Sequence, residues 1–181
     1  MSNKNFFLIC ILSIGLYYIS LLSGNFVRRK KAPKRKATND YINKVIKAIN
    51  KMDGSQFEDF VEFLFREMGY RVRQTPKTRD GGKDLVLNTQ KGKVYVEVKR
   101  YASKNLISST LVLKLIGSAV SDGVNRCLFL TTSGYTKDAI ALAESSKVRI
   151  DLVDLDGVID MLKKCNCNRV MKYLQMKKLG Y

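Results

Sequence analysis

This chain of 181 residues contains no histidine, which removes imidazole acid–base catalysis and His-ligated zinc from consideration. The residues that could do chemistry are carboxylates and a lysine, and they gather around VYVEVKRY, Val94–Tyr101. On a strand, Tyr95, Glu97 and Lys99 share one face while Val94, Val96 and Val98 take the other. A Glu and a Lys two positions apart are, taken alone, an ordinary surface ion pair. Asp84 changes that reading. It follows the Gly81-Gly82 turn, where the backbone can approach closely, and a hairpin can bring it beside Glu97. Two carboxylates and a lysine suit a hard divalent cation and a phosphodiester. Carboxylate oxygens hold Mg²⁺, with Mn²⁺ as a substitute, and the cation neutralises phosphate charge. Lys99 can orient or deprotonate an attacking water and support the developing negative charge.

Several elements must place these groups. Ile42, Val45, Ile46 and Ile49 recur at helical spacing and predict a short amphipathic helix over 39–52. Phe57, Phe60, Val61, Leu64, Phe65 and Met68 predict a second helix, stopped by Gly69. Strands are expected at Tyr70–Gln74, in KDLVL and in VYVEVK, then in RCLFLTT and RIDLV. Helices are expected over 107–121, in YTKDAIALAESS and over 154–164. A meander followed by helical crossovers implies an α/β domain, a mixed central sheet flanked by helices.

The chain carries 33 basic and 16 acidic residues, a net charge of +17 that points to a polyanionic partner. Between Lys4 and Arg28 lie 23 uncharged residues, mostly apolar. As a helix they would extend roughly 34 Å, enough to span a bilayer. Seven positive charges follow in Arg28–Lys36. A secretory signal would carry its charge before the apolar core, so a retained single span is expected, N-terminus outside and the remainder cytoplasmic. The basic run is also expected to contact anionic lipid headgroups. Cys165 and Cys167 lack a second pair of ligands and read as reduced thiols. The expected organisation is an anchor over 1–27, a polybasic linker with the amphipathic helix over 28–53, a globular domain over 54–164, and a basic C-terminal helix over 165–181.

Five stretches carry a resemblance, in order: GSQFEDFVEFLFREMGYRV, TRDGGKDLVL, VYVEVKRY, CLFLTTSGYTKDAIALAE and IDLVDLDGVIDML. Together they resemble the Mrr-like type IV restriction endonuclease catalytic domain, a branch of the restriction-endonuclease-like PD-(D/E)xK superfamily, from about Gly54 to Leu162. The resemblance implies a restriction-endonuclease-like sheet and a Mg²⁺-dependent DNA endonuclease serving restriction of foreign DNA. It makes Asp84, Glu97 and Lys99 catalytic, with Asp84 and Glu97 as metal ligands. Many members carry Gln where Glu97 stands, so this chain has an additional carboxylate. Glu58 matches a family glutamate, yet Ser55-x-x-Glu58 is also a capping box, and both readings stand. Asp80 reads as turn chemistry in TRDGG. Arg100, Lys172, Lys177 and Lys178 are candidate DNA-binding residues. Cutting both strands with one site per chain favours a homodimer. Two alternatives remain: a non-cleaving DNA-binding module of the same fold, and a resolvase-like nuclease acting on branched DNA.

Overall fold

The strand VYVEV is buried at five successive residues, Val94–Val98, so both of its faces are covered even though one carries Tyr95 and Glu97. In the computed structural model, which describes residues 39–76 and 82–178, that strand is the middle of a five-stranded sheet. The strands are β1 (Arg71–Gln74), β2 (Leu85–Thr89), β3 (Gly92–Lys99), β4 (Arg126–Thr131) and β5 (Arg149–Val153), and their spatial order follows the sequence. β1, β2 and β3 form an antiparallel meander, whereas β4 and β5 add in parallel. The parallel pairs need crossovers, supplied by α3 (Ser109–Ser121) and α4 (Lys137–Ser145). The remaining helices are α1 (Asn39–Ile49), α2 (Gly54–Glu67), α5 (Leu155–Lys164) and α6 (Cys167–Lys178). This is the mixed sheet with helices on both faces that the sequence led us to expect.

Alternation along the strands splits the core into two layers. Leu85, Leu87, Val94, Val96 and Val98 pack with α1, α2, α5 and α6. Val86, Tyr95, Cys127 and Phe129 pack with α3 and α4. Phe57 and Phe60 of α2 are fully buried, each contributing about 1.5–3 kcal/mol. The helix read as a joining segment, α1, lies in the first layer through Tyr41, Val45 and Ile49. The basic C-terminal helix α6 also belongs to that layer, through Val170 and Leu174.

Helix α2 begins one turn segment earlier than Ser55 and Glu58 suggest. Asp53 is the N-cap: its Oδ1 accepts from the Gln56 amide at 2.8 Å, and Gln56 Oε1 accepts from the Asp53 amide at 3.0 Å. The capping box is therefore Asp53/Gln56. Gly69, at φ +94°, ends the helix in the left-handed conformation that glycine adopts readily. Among the described residues, no helix is long and apolar enough to cross a membrane. The expected anchor over 1–27, the basic run Arg28–Lys36 and Asp80 lie outside the described residues.

Candidate active site

Asp84 stands just before β2, and its backbone continues the sheet. Its amide donates to the Val96 carbonyl at 2.8 Å, and its carbonyl accepts from the Thr75 amide at 2.8 Å. Since Leu85 pairs with Val96, Asp84 falls opposite Glu97. The carboxylate turns toward β3: Oδ2 accepts from the Val98 amide at 2.7 Å and lies 3.4 Å from Lys99 Nζ. Glu97 is 5% exposed, with Oε1 2.5 Å from Lys99 Nζ. Lys99 Nζ also donates to the Val98 carbonyl at 3.1 Å. Three oxygens thus converge on one ammonium at the C-terminal end of β3.

The electrostatics follow from burial and proximity. Burial, and then the Asp84 charge, push the Glu97 carboxyl above the ordinary glutamate range, while Lys99 and Lys114 pull it back. Burial works against the Lys99 ammonium, but Glu97 and Asp84 outweigh it and hold the lysine above its ordinary value. Lys99 is therefore a proton-bearing cation here, suited to orienting water and countering charge rather than taking a proton. Glu97 Oε2 is buried and has no hydrogen-bond partner among the described residues. An orphaned carboxylate oxygen beside a second carboxylate fits a hard cation. Among the described residues no cluster of three His, Cys, Asp or Glu stands ready to hold a metal. Mg²⁺ needs no such cage, since it commonly takes one or two carboxylates and completes its shell with waters and phosphate.

Asp84 and Lys99 open into a cleft of about 510 Å³, whose wall from α2 includes Glu58 and Asp59. With the capping box assigned to Asp53 and Gln56, Glu58 is half-buried on that wall. A larger cavity of about 660 Å³, walled by Phe65, Leu87, Leu128 and Met161, contains none of Asp84, Glu97 or Lys99. Of the two, the smaller cleft is the one lined by Asp84 and Lys99.

The other candidates are placed differently. Arg100 donates through Nη2 to the Asn50 carbonyl at 2.5 Å and through Nε to the Ile49 carbonyl at 3.4 Å. It ties β3 to the C-terminal end of α1. Lys177 pairs with Asp59 at 3.1 Å, which brings α6 to the rim of the cleft. Lys172 is exposed on α6, and Lys178 is the last residue of that helix. Thr131 and Ser133 are buried with their hydroxyls 3.1 Å apart, a closed strand-end network.

One group escaped the sequence. Lys83 Nζ lies 2.9 Å from Asp122 Oδ2, donates to Ser118 Oγ at 2.9 Å and sits 4.4 Å from the Tyr95 ring centroid. Tyr95 donates to Asp122 Oδ2 at 2.6 Å. This clasp fixes the residue before Asp84 to the end of α3. Its hydrogen bonds join residues 27 to 39 positions apart, beyond any local pattern.

Comparison with known proteins gives concordant results. The sequence model of a family described as restriction endonuclease, Mrr_cat, matches residues 49–162. An uncharacterized protein of Sinorhizobium fredii, y4cE, is 32% identical over 117 residues, covering 62% of this chain and 30% of its own. The type IV methyl-directed restriction enzyme EcoKMrr of Escherichia coli K12 is 26% identical over 145 residues, covering 76% of this chain and 47% of its own. This chain thus spans from under a third to about half of the length of these relatives. Among solved structures, the DNA modification-dependent restriction endonuclease AspBHI superposes with a TM-score of 0.58 at 19% identity, covering 91% of this chain and 49% of its own. MspJI restriction endonuclease, in complex with a 27-mer oligonucleotide, gives 0.56 at 14% identity, covering 83% and 38%. At these identities the superpositions show the fold.

Proposed function

The chain belongs to the Mrr_cat family of restriction endonucleases, and from that premise we propose that it hydrolyses DNA phosphodiesters with Mg²⁺, for which Mn²⁺ substitutes. One observation carries the reading. Asp84, Glu97 and Lys99 converge at the end of β3, with a buried Glu97 oxygen that has no hydrogen-bond partner among the described residues. A purely DNA-binding domain gains nothing from burying two carboxylates side by side, because their desolvation and mutual repulsion are costly.

Asp84 and Glu97 would hold the cation, which when bound neutralises phosphate charge and lowers the pKa of its water. Lys99 orients the incoming water with an ammonium fixed by three oxygens, and opposes the charge that builds on the phosphate. The water oxygen bonds to phosphorus as the bond from phosphorus to one sugar oxygen breaks, the water giving up a proton to solvent and the departing sugar oxygen taking one from it. Glu58 faces the same cleft and is placed to steer water or substrate from the α2 side.

The setting belongs to the same proposal. A single span over 1–27, with Arg28–Lys36 against anionic lipid, holds the nuclease at the cytoplasmic face of a membrane, where it restricts foreign DNA. Two copies would be needed to cut both strands.

The test uses the full chain in detergent micelles, with methylated plasmid, unmodified plasmid and four-way junction DNA, each with Mg²⁺ or EDTA. Mg²⁺-dependent cleavage is expected, abolished in Asp84→Asn and in Lys99→Met. Cleavage that survives both substitutions, or that persists in EDTA, overturns the reading. Retention of DNA without cleavage supports the binding-module alternative, and cleavage confined to the junction supports the resolvase-like one.

A further inference from the structure

The lysine already present at the site is held at the reacting centre. Lys99 faces Glu97, Asp84 and the Val98 carbonyl, which fix its ammonium there and keep it from reaching phosphates along the flanking DNA backbone. Three other described basic side chains are engaged as well. Lys83 is held by Asp122 and Ser118, Arg100 by carbonyls of α1, and Lys177 by Asp59. A nucleic-acid phosphate approaching two carboxylates still needs a cation that is available to it.

Lys114 of α3 has that property. It is exposed, and no hydrogen bond or ion pair ties it to another described residue. Its stem is nevertheless held in place. A methyl group added at Gly82 would lie 2.8 Å from Lys114 Cγ and 3.1 Å from both Cδ and Cε, so three successive carbons run along the Gly82 backbone. Gly82 is two residues before Asp84 and has φ +83°. Both its conformation and the lysine crossing it require glycine there. Lys114 comes from the α3 layer, whereas Glu58 and Asp59 line the cleft from the opposite, α2, layer.

We propose that Lys114, whose stem lies on Gly82 two residues before Asp84, is a phosphate-binding residue beside the cleft that grips the DNA backbone from the α3 side. The inference rests on the nuclease reading of Asp84, Glu97 and Lys99, and it gives that site a contact to the substrate which the catalytic groups do not supply. It also gives Gly82 a role: a side chain there would displace the lysine stem.

The test compares wild type, Lys114→Met and Lys114→Arg in the full chain. Methionine keeps an unbranched stem on Gly82 and removes only the charge. Anisotropy of a labelled 24-base-pair duplex is followed in EDTA between about 0.05 and 1 M salt. Losing one phosphate contact reduces the slope of log affinity against log salt by about 0.9. At 0.1 M salt, binding should be about eightfold weaker, converging with wild type near 1 M. Arginine should restore both slope and affinity. In cleavage with Mg²⁺, Lys114→Met should raise KM by a similar factor and leave kcat nearly unchanged. An unaltered slope and KM in Lys114→Met overturn the inference while leaving a cutting wild type, and the nuclease reading, intact. A flattened slope in Lys114→Met beside a wild type that binds but never cuts supports the contact and refutes the nuclease reading, and a wild type that does not retain DNA overturns both. A fall in thermal stability of Lys114→Met with no change in slope would make the residue structural and also refute the proposal.

Discussion

Replacing Lys99 with methionine should destabilise the fold in a way that depends on pH and is repaired by a divalent cation. The ammonium lies 2.5 Å from Glu97 Oε1 and 3.4 Å from Asp84 Oδ2. At an effective dielectric of about 20 these attractions are roughly 7 and 5 kcal/mol before desolvation is subtracted. Breaking a buried pair by removing one partner costs about 3–5 kcal/mol. The Lys99 side chain is a quarter exposed, so the lower end, about 3 kcal/mol, is expected near neutral pH. The sign with pH follows from Glu97, whose folded-state carboxyl already titrates above its ordinary value of 4.5. Such a group favours the fold below its unfolded value, and that contribution disappears as pH rises through the folded value. Losing Lys99 raises the Glu97 value further, so the deficit should be large at pH 7.5 and shrink toward pH 4.5. Urea unfolding in EDTA measures it: with a slope of about 2 kcal/mol per molar, the midpoint should drop by about 1.5 M at pH 7.5. Millimolar Mg²⁺ should stabilise Lys99→Met more than wild type, because the ion supplies the missing positive charge between the carboxylates. A deficit that is equal at both pH values and insensitive to Mg²⁺ would mean that Lys99 acts only through packing of its stem, and would refute the reasoning.

Further expectations are open to simple measurement. Arg100→Ala should cost about 1.5–3 kcal/mol through its lost bonds to α1 and leave the salt dependence of DNA binding unchanged, whereas a flattened salt slope would return Arg100 to the DNA interface. Asp53→Ala should lower stability by about 1 kcal/mol with full cleavage, while Glu58→Gln should leave stability intact and slow cleavage; the reverse pattern would put the cap at Ser55 and Glu58 after all. Replacing Lys172, Lys177 and Lys178 together with Gln should flatten the salt slope by up to about 2.7 if all three meet phosphate. Since Lys177 is held by Asp59, a change of about 1.8 is the more natural outcome, and no change would assign the charge of α6 to solubility.

The features legible in the sequence were those written in short range. Asp84, Glu97 and Lys99 sit on neighbouring strands joined by a tight turn, so alternation alone brings them together once Leu85 pairs with Val96. The two-layer sheet was legible for the same reason, as strands with apolar runs alternate with helical spacing. Features set by distant contacts were not. Arg100 meets carbonyls 50 and 51 positions away, and a strand-end arginine carries no mark of that partner. The cap of α2 was a local contest: both DGSQ and SQFE fit a capping box, and the extended backbone at Asp53 with its reciprocal bonds to Gln56 makes Asp53 the cap. In α6, Val170 and Leu174 lie one turn apart, the signature of a buried stripe, but the surrounding lysines masked it.

Because α1 is built into the core, the distance over which the nuclease could search is set by very few residues. On the proposed arrangement the membrane span ends at Val27, and only residues 28–38 lie between it and the first residue of α1. At no more than about 3.6 Å per residue, even a fully extended connection reaches only about 40 Å. Opposing charge between Arg28–Lys36 and the lipid would shorten it further. On that arrangement the tether would make cleavage a question of place: DNA within a thin shell beneath the bilayer would meet the enzyme at high local concentration, and DNA beyond that reach would not.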